Sequence, residues 1–302
     1  MAGMKRRTFS TMIGGAAMAA VAGKGMAKSE GAAKPFKMLF APHPNQIPTG
    51  PKKDYLGQLQ LAHDLGFRAW EDNKMSRQTP VMQEKIGQFC KDKGITLGVQ
   101  VISGGGGMPW CKPTDEGTKR VLADMKAGIE VAKRTGQTWM TLIPGTRIEG
   151  VPLDEQIKKS VDLMKRCCDI VEDSGIIMVL EPLSHGVKGG EPLLRSFEDG
   201  FKLCELVNRK SCKLLADFYH EGTIGNDLIP EAKKTWGQVA YVQYGDVPGR
   251  KEPGTGKLNY KEVTKWIHDQ DFKGVIGMEH GASAKGEEGT KKLVAAYRKI
   301  DV

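Results

Sequence analysis

The feature that most constrains this chain is an alternation. From residue 37 onward, short β-rich runs are followed, time after time, by longer stretches with helical apolar spacing. Parallel strands need a crossover long enough to hold a helix, so this rhythm points to repeated βαβ units. The predicted strands are Lys37–Pro42, Arg68–Asp72, Ile95–Ile102, Thr138–Pro144, Ile176–Leu183, Cys212–Tyr219, Gln238–Asp246 and Gly274–His280. Between them lie amphipathic segments such as Tyr55–Leu65, Val81–Lys93, Thr118–Thr135 and Leu153–Ser174, with a final helix over Gly289–Ile300. Leu153, Ile157, Val161, Met164, Cys168 and Val171 form one stripe at helical period. Gly66, Gly94, Gly136, Gly175, Gly237 and Gly274 stand where helices should stop. Eight strands and eight helices use up residues 37–302 as one (β/α)8 TIM barrel, an α/β fold whose usual size is about 250 residues.

Residues 1–27 read differently. Lys5-Arg6-Arg7-Thr8-Phe9-Ser10 is a twin-arginine pattern, followed by a mild apolar run over Met12–Gly23 and small residues at Gly25-Met26-Ala27. We read 1–27 as a signal peptide for twin-arginine export, 28–36 as a linker, and the destination as the periplasm or another exported location. The apolar run is too short to span a bilayer, so no membrane association beyond export is expected. Removing the leader takes four basic residues and no acid, which lowers the net charge from +9 to +5. So small and dispersed a surplus argues against a nucleic-acid partner. The six cysteines show no metal-ribbon spacing, and Cys167 and Cys168 fall inside a helical pattern, where packing is their expected role.

A parallel barrel carries its chemistry at the C-terminal ends of its strands. Those ends read His43; Glu71 and Asp72; Glu181; Asp217 and His220; Gln243 and Asp246; Glu279 and His280. Taken singly, each acid reads equally well as a salt-bridge partner. Glu181, Asp217, Gln243 and Glu279 are different as a set, because they come from four consecutive strands and can converge. Three carboxylates that close repel one another unless a cation sits among them. Three carboxylates and an amide carbonyl suit a hard divalent ion, Mg2+ or Mn2+, better than zinc. His220 follows Asp217 in a D-x-x-H spacing and can donate to a substrate oxygen. The Pro- and Gly-rich loop Gly245–Gly256 presents Arg250, whose planar fork suits carboxylate or vicinal oxygens. On the glycine run Gly104–Gly107 and its neighbours, Trp110 is the best candidate to stack on a sugar face; Trp70, Trp139 and Trp236 read as core.

Leu180-Glu181-Pro182-Leu183, Asp217-Phe218-Tyr219-His220, Asp246-Val247-Pro248-Gly249-Arg250, Glu252-Pro253-Gly254-Thr255-Gly256, Asn259-Tyr260 and Gly277-Met278-Glu279 resemble the hydroxypyruvate isomerase family. That family belongs to the xylose-isomerase-like TIM-barrel sugar isomerases and epimerases. The likeness is specific over residues 176–281 and architectural over 37–175. It implies that Glu181, Asp217, Gln243 and Glu279 hold the metal, that Glu181 and Glu279 also shuttle the proton through an enediolate, and that His220 and Arg250 contact substrate. The implied substrate is a small sugar or hydroxy-keto acid. The chain departs from the family at Phe40-Ala41-Pro42-His43-Pro44, Trp70-Glu71-Asp72-Asn73-Lys74 and Ser184-His185-Gly186-Val187-Lys188, which bears on the substrate more than on the metal.

Two other readings remain open on the sequence. An exported lyase or epimerase acting on 3-keto sugars or keto-glycosides would use the same enolisation. A non-catalytic sugar-binding barrel would not need both Glu181 and Glu279. A DNA-repair barrel of the endonuclease IV kind needs a histidine-rich zinc cluster, and six histidines, two of them in helical segments, do not supply one. A homo-oligomer is compatible with everything above.

Overall fold

A computed structural model describes residues 33–103, 107–187 and 190–302. The leader 1–27, residues 28–32 of the linker, Gly104–Gly106 and Lys188–Gly189 lie outside the described residues.

Local sequence chemistry starts and stops the helices where the pattern places them. α1 (Tyr55–Asp64) begins where the Asp54 side chain accepts from Gly57 N, and α2 (Pro80–Lys93) begins at Thr79 with Pro80 in its first turn. α3 (Asp115–Thr135) is capped by Thr114, and α5 (Phe197–Val207) opens with a reciprocal box between Ser196 and Asp199. Gly94 and Gly136 take up left-handed backbone after α2 and α3, as expected of helix stops. Gly237 instead falls inside a 3-10 turn over Trp236–Gln238. α4 (Leu153–Val171) buries Ile157, Met164, Cys168 and Val171 completely or nearly so. Cys167 and Cys168 are wholly shielded, and burial pushes the Cys167 thiol up to about 12, so it packs rather than reacts.

The strands are β1 (Leu39–Ala41), β2 (Ala69–Trp70), β3 (Thr96–Leu97), β4 (Gln100–Ser103), β5 (Trp139–Leu142), β6 (Ile177–Leu180), β7 (Cys212–Asp217), β8 (Val239–Gln243) and β9 (Val275–Gly277). All pairings are parallel, in the order β1-β9-β8-β7-β6-β5-β4, with β2 paired to β3. Glu71 N donates to Pro42 O at 3.1 Å, linking the second strand to the first and closing the ring. The expected third strand, Ile95–Ile102, is one stretch of chain interrupted at Gly98-Val99, which is why nine strands appear among the described residues where eight were expected. The Tyr241 hydroxyl enters from across the barrel, and a Cβ at Gly98 would lie 2.1 Å from it.

The barrel interior is packed, with Ala41, Ala69, Val99, Val179, Leu215, Tyr241 and Val275 in one cluster. A larger apolar layer lies between the sheet and α1–α5, α6 (Phe218–Thr223), α7 (Leu228–Thr235), α8 (Tyr260–Asp269) and α9 (Gly286–Ile300). α6 is the helix the eight-fold count did not include; it starts directly from the end of β7. The described end of the linker is not loose. Phe36 is 5% exposed and stacks on Phe67 at 4.6 Å, and Ala33 N donates to Asp64 O.

Candidate active site

β6, β7, β8 and β9 end level with one another. Asp217 pairs with Gln243 in the β7–β8 register, and Gln243 pairs with Gly277 in the next, two residues before Glu279. Glu181 follows β6 directly, its N–H bound to Leu142 O. Side chains alternate along a strand, so these positions send their groups to the same rim. Glu181, Asp217, His220 and Gln243 are all nearly or wholly buried there.

Asp217 is the pivot. It caps α6, with Oδ1 accepting from Tyr219 N at 2.8 Å. The first turn of that helix brings His220 back over it, with Nε2 3.4 Å from Oδ2 and 3.9 Å from Glu181 Oε1. Arg250 bridges the other side: one Nη lies 3.1 Å from Asp217 Oδ2 and 2.6 Å from Glu279 Oε2. Its Nε donates to Glu279 O, and its guanidinium lies over the Tyr219 ring at 4.5 Å. Asn73 Nδ2 donates to Glu279 Oε1 at 2.9 Å.

Arg250 reaches this position because its loop is tied down. The buried Asp246 carboxylate accepts from the backbone N–H groups of Val247, Gly254, Gly256 and Leu258 at 2.8–3.1 Å. Glu252 reaches across to Ser283 N at 2.8 Å. Asp246, a strand-end acid by sequence, is therefore committed to the loop backbone and offers nothing to a ligand.

Charge in the site is unbalanced. Burial raises the Glu181 carboxyl well above the usual range, with Glu279 and Asp217 pushing the same way. Asp217 is raised to about 7 by burial, against the pull of Arg250. Burial also raises Glu279, again opposed by Arg250. A single guanidinium does not neutralise three such acids, and a divalent cation among them would lower all three.

Among the buried atoms left without a hydrogen-bond partner here, which also include Asn73 Oδ1 and His43 Nε2, two bear on which groups would face such a cation. Gln243 Nε2 donates to Glu71 Oε1 at 2.7 Å, so the amide is oriented, and its Oε1 is left buried with no hydrogen-bond partner. An unpaired buried carbonyl is costly and is the acceptor a hard cation takes. His220 is the other. Its Nδ1 accepts from Ser184 N at 3.1 Å beside the Ser184 hydroxyl at 2.8 Å. Burial, then Arg250 and His185, lower its pKa to about 2, so the ring is neutral. A neutral ring accepting at Nδ1 carries its proton on Nε2, the orphaned nitrogen that faces the acids. A metal-bound histidine shows the reverse, donating its far N–H to a partner. Glu181, Asp217 and His220 do form a tight group, with candidate atoms within 4.8 Å of one another. Of these three, His220 is built as a donor; the quartet Glu181, Asp217, Gln243 and Glu279 fits a metal better by chemistry.

Residues 59–300 match the family described as xylose isomerase-like TIM barrel. The chain belongs to that family. Among curated relatives, 2-oxo-tetronate isomerase of Haemophilus influenzae is 27% identical over 52% of this chain and 60% of its own length. The Pectobacterium atrosepticum protein of the same name is 23% identical over 78% of this chain and 89% of its own. Hydroxypyruvate isomerase of Escherichia coli is 26% identical over 55% and 64%. For two of these three relatives, then, the match spans less than two thirds of their length. The solved structure of 3-keto-D-glucoside 4-epimerase from Escherichia coli superposes with a TM-score of 0.70 at 16% identity, covering 87% of this chain and 99% of that one, and so shares the fold.

Within this xylose isomerase-like barrel, Glu181, Asp217, His220, Arg250 and Glu279 are linked by contacts of 2.6–3.9 Å, whereas Gln243 ends the strand beside Asp217 with its amide hydrogen-bonded to Glu71. Trp110 is not among them. It is wholly buried, with its ring edge against the backbone of Gly145, so it is a core residue rather than a sugar-stacking platform. His280 donates or accepts at Tyr297 OH, 2.7 Å away, and burial lowers its pKa to about 4. Asn73 and Tyr241 were missed. Each stands two residues from a group already singled out (Glu71 and Gln243), and strand alternation would have put both on the inward face.

Proposed function

We propose that this xylose isomerase-like barrel is a metal-dependent isomerase of a small hydroxy-keto acid or ketose, working by proton transfer between adjacent carbons. The observation that carries it is the unpaired Gln243 carbonyl beside three pKa-raised carboxylates. The isomerase names of the relatives support the reaction class.

Glu181, Asp217, Gln243 and Glu279 would hold Mg2+ or Mn2+, which supplies Lewis-acid polarisation of the substrate's oxygens, a contribution of several kcal/mol in such sites. Glu279 is the base. Arg250 and Asn73 fix its two oxygens, and the guanidinium favours its ionised form. It takes the proton from the carbon next to the carbonyl, leaving an enediolate. Glu181 returns a proton to the neighbouring carbon while the substrate's hydroxyl proton passes to the former carbonyl oxygen, and the two glutamates regain their starting protonation through solvent. General acid–base steps of this kind contribute about 10²–10⁴-fold. His220 donates Nε2–H to a substrate oxygen, and Arg250 orients the other end of the reacting pair.

A lyase or epimerase acting on 3-keto sugars or keto-glycosides is the second reading. A cavity of about 750 Å3 adjoining Glu279 and Arg250 favours it, being far larger than a three-carbon acid. The test is solvent deuterium exchange with the Mn2+-loaded protein against hydroxypyruvate, ketoses and keto-glycosides, with products identified by mass. Deuterium at the carbon next to the carbonyl is the expected result. Exchange with none of them, or undiminished exchange after chelation, ends the proposal.

We also propose export by the twin-arginine route. Fractionation should find the wild type outside the cytoplasm and the double variant Arg6→Lys, Arg7→Lys inside it.

A further inference from the structure

The mechanism above leaves a buried carboxylate unused. Glu71 is wholly shielded, yet it reaches three partners: the Tyr241 hydroxyl at 2.5 Å, Gln243 Nε2 at 2.7 Å, and His43 Nε2 at 2.8 Å. The last is a close contact, an ion pair when His43 is protonated, without the alignment of a straight hydrogen bond. Space has been made for this group. A Cβ at Gly277 would lie 2.0 Å from Glu71 Oε2, and one at Gly98 would lie 2.1 Å from the Tyr241 hydroxyl. Burying a carboxylate costs several kcal/mol unless it is paired. No lysine or arginine among the described residues pairs with Glu71, so His43 is its one basic partner there.

His43 is the outward end of that pair. Its side chain is 17% exposed, and its Nδ1 makes no hydrogen bond among the described residues. It lines the cavity of about 750 Å3 between the loops that follow β1 and β9. Glu279 and Arg250 form the site end of this cavity, and the exposed Lys52 and Lys285 also line it. The lining thus carries three full positive charges and two imidazoles, His43 and His280, against one carboxylate.

We propose that His43 is a specificity-determining residue, with Glu71 as its positioning residue, and that its Nδ1 binds a carboxylate at the far end of a substrate whose reacting carbons lie at Glu279. This rests on the isomerase reading and adds a demand to it: the substrate is an elongated sugar acid, with its acidic end turned away from the reacting carbons. Lys52 and Lys285 draw that end into the cavity, and His43 selects it at close range. Glu71 couples the two regions, because the same carboxylate that holds His43 also orients the Gln243 amide.

The experiment is calorimetry on the Mn2+-loaded protein with pairs of non-reacting probes, each hydroxy acid against its alditol, from glycerate and glycerol up to gluconate and sorbitol. A hydrogen bond to a charged group corresponds to about tenfold or more in affinity. At least one acid longer than glycerate should bind about tenfold tighter than its alditol, and His43→Asn should bring that ratio close to one while the alditol's own affinity is kept. Glu71→Gln keeps the shape and removes the charge; it should lower the same ratio and also weaken Mn2+ binding through Gln243. A ratio near one in the wild type, or an unchanged ratio in His43→Asn, overturns the proposal. Deuterium exchange separates this from the reading beneath it. Exchange that persists while the ratio fails to respond sinks the His43 assignment alone, whereas a His43-dependent ratio without exchange sinks the isomerase.

Discussion

The two halves of the barrel do different work. From β6 to β9, the strands end in a carboxylate or amide at one rim: Glu181, Asp217, Gln243 and Glu279. In the first half, two polar groups that follow β2 serve the other half. Asn73 holds Glu279, and Glu71 holds Gln243. On the proposed function, the difference teaches that the reacting groups and the groups that aim them are separable, lying in different halves of one ring.

The sharpest way to break that comparison is at Glu279. Glu279→Gln should lose turnover by about 10²–10⁴-fold, measured as deuterium exchange, with the fold intact by circular dichroism. If full activity remains, the second half does not carry the reaction. Next in size is Trp110, in the loop after β4. Trp110→Ala should cost about 3–5 kcal/mol in urea unfolding, as for a core aromatic, while leaving the acid-to-alditol affinity ratio unchanged. A loss of ligand binding without a loss of stability would return it to the sugar-stacking role.

Asp246 probes the second half's scaffold. Asp246→Asn keeps the size but loses a charge that accepts four backbone N–H groups. It should cost about 1.5–3 kcal/mol in the same unfolding assay and raise KM by loosening Arg250. The smallest effect is expected across the divide. Asn73→Ala should weaken Mn2+ binding by about tenfold, read by calorimetry, since outer partners orient ligands without touching the metal. An effect as large as that of Glu279→Gln would erase the division between presenting and orienting halves.

Much of the second half was legible because its signals are local. Pro182 after Glu181, Asp217 three residues before His220, and a loop rich in Pro and Gly around Arg250 each carry meaning within a few residues. The helix stops at Gly94 and Gly136 were legible for the same reason. The break in the third strand was not, because the hydroxyl that meets Gly98 there comes from Tyr241, on the opposite side of the ring. Trp110 was misread as a rim platform because loop position was taken for exposure, and only packing against Gly145 tells the two apart.

On its own, the amino-acid sequence determined the alternation of strand and helix, and from it the closed parallel barrel with acids at one rim. Strand and helix periods are written into neighbouring residues, and burial enforces them. The tertiary structure alone decided which polar atoms meet: that His220 Nδ1 accepts from Ser184 N, that the Gln243 amide donates to Glu71 and leaves its carbonyl unpaired, and that Glu71 meets Tyr241 across 170 residues of chain. Those choices depend on hydrogen bonds between distant strands, and closing the ring is what brings such strands together.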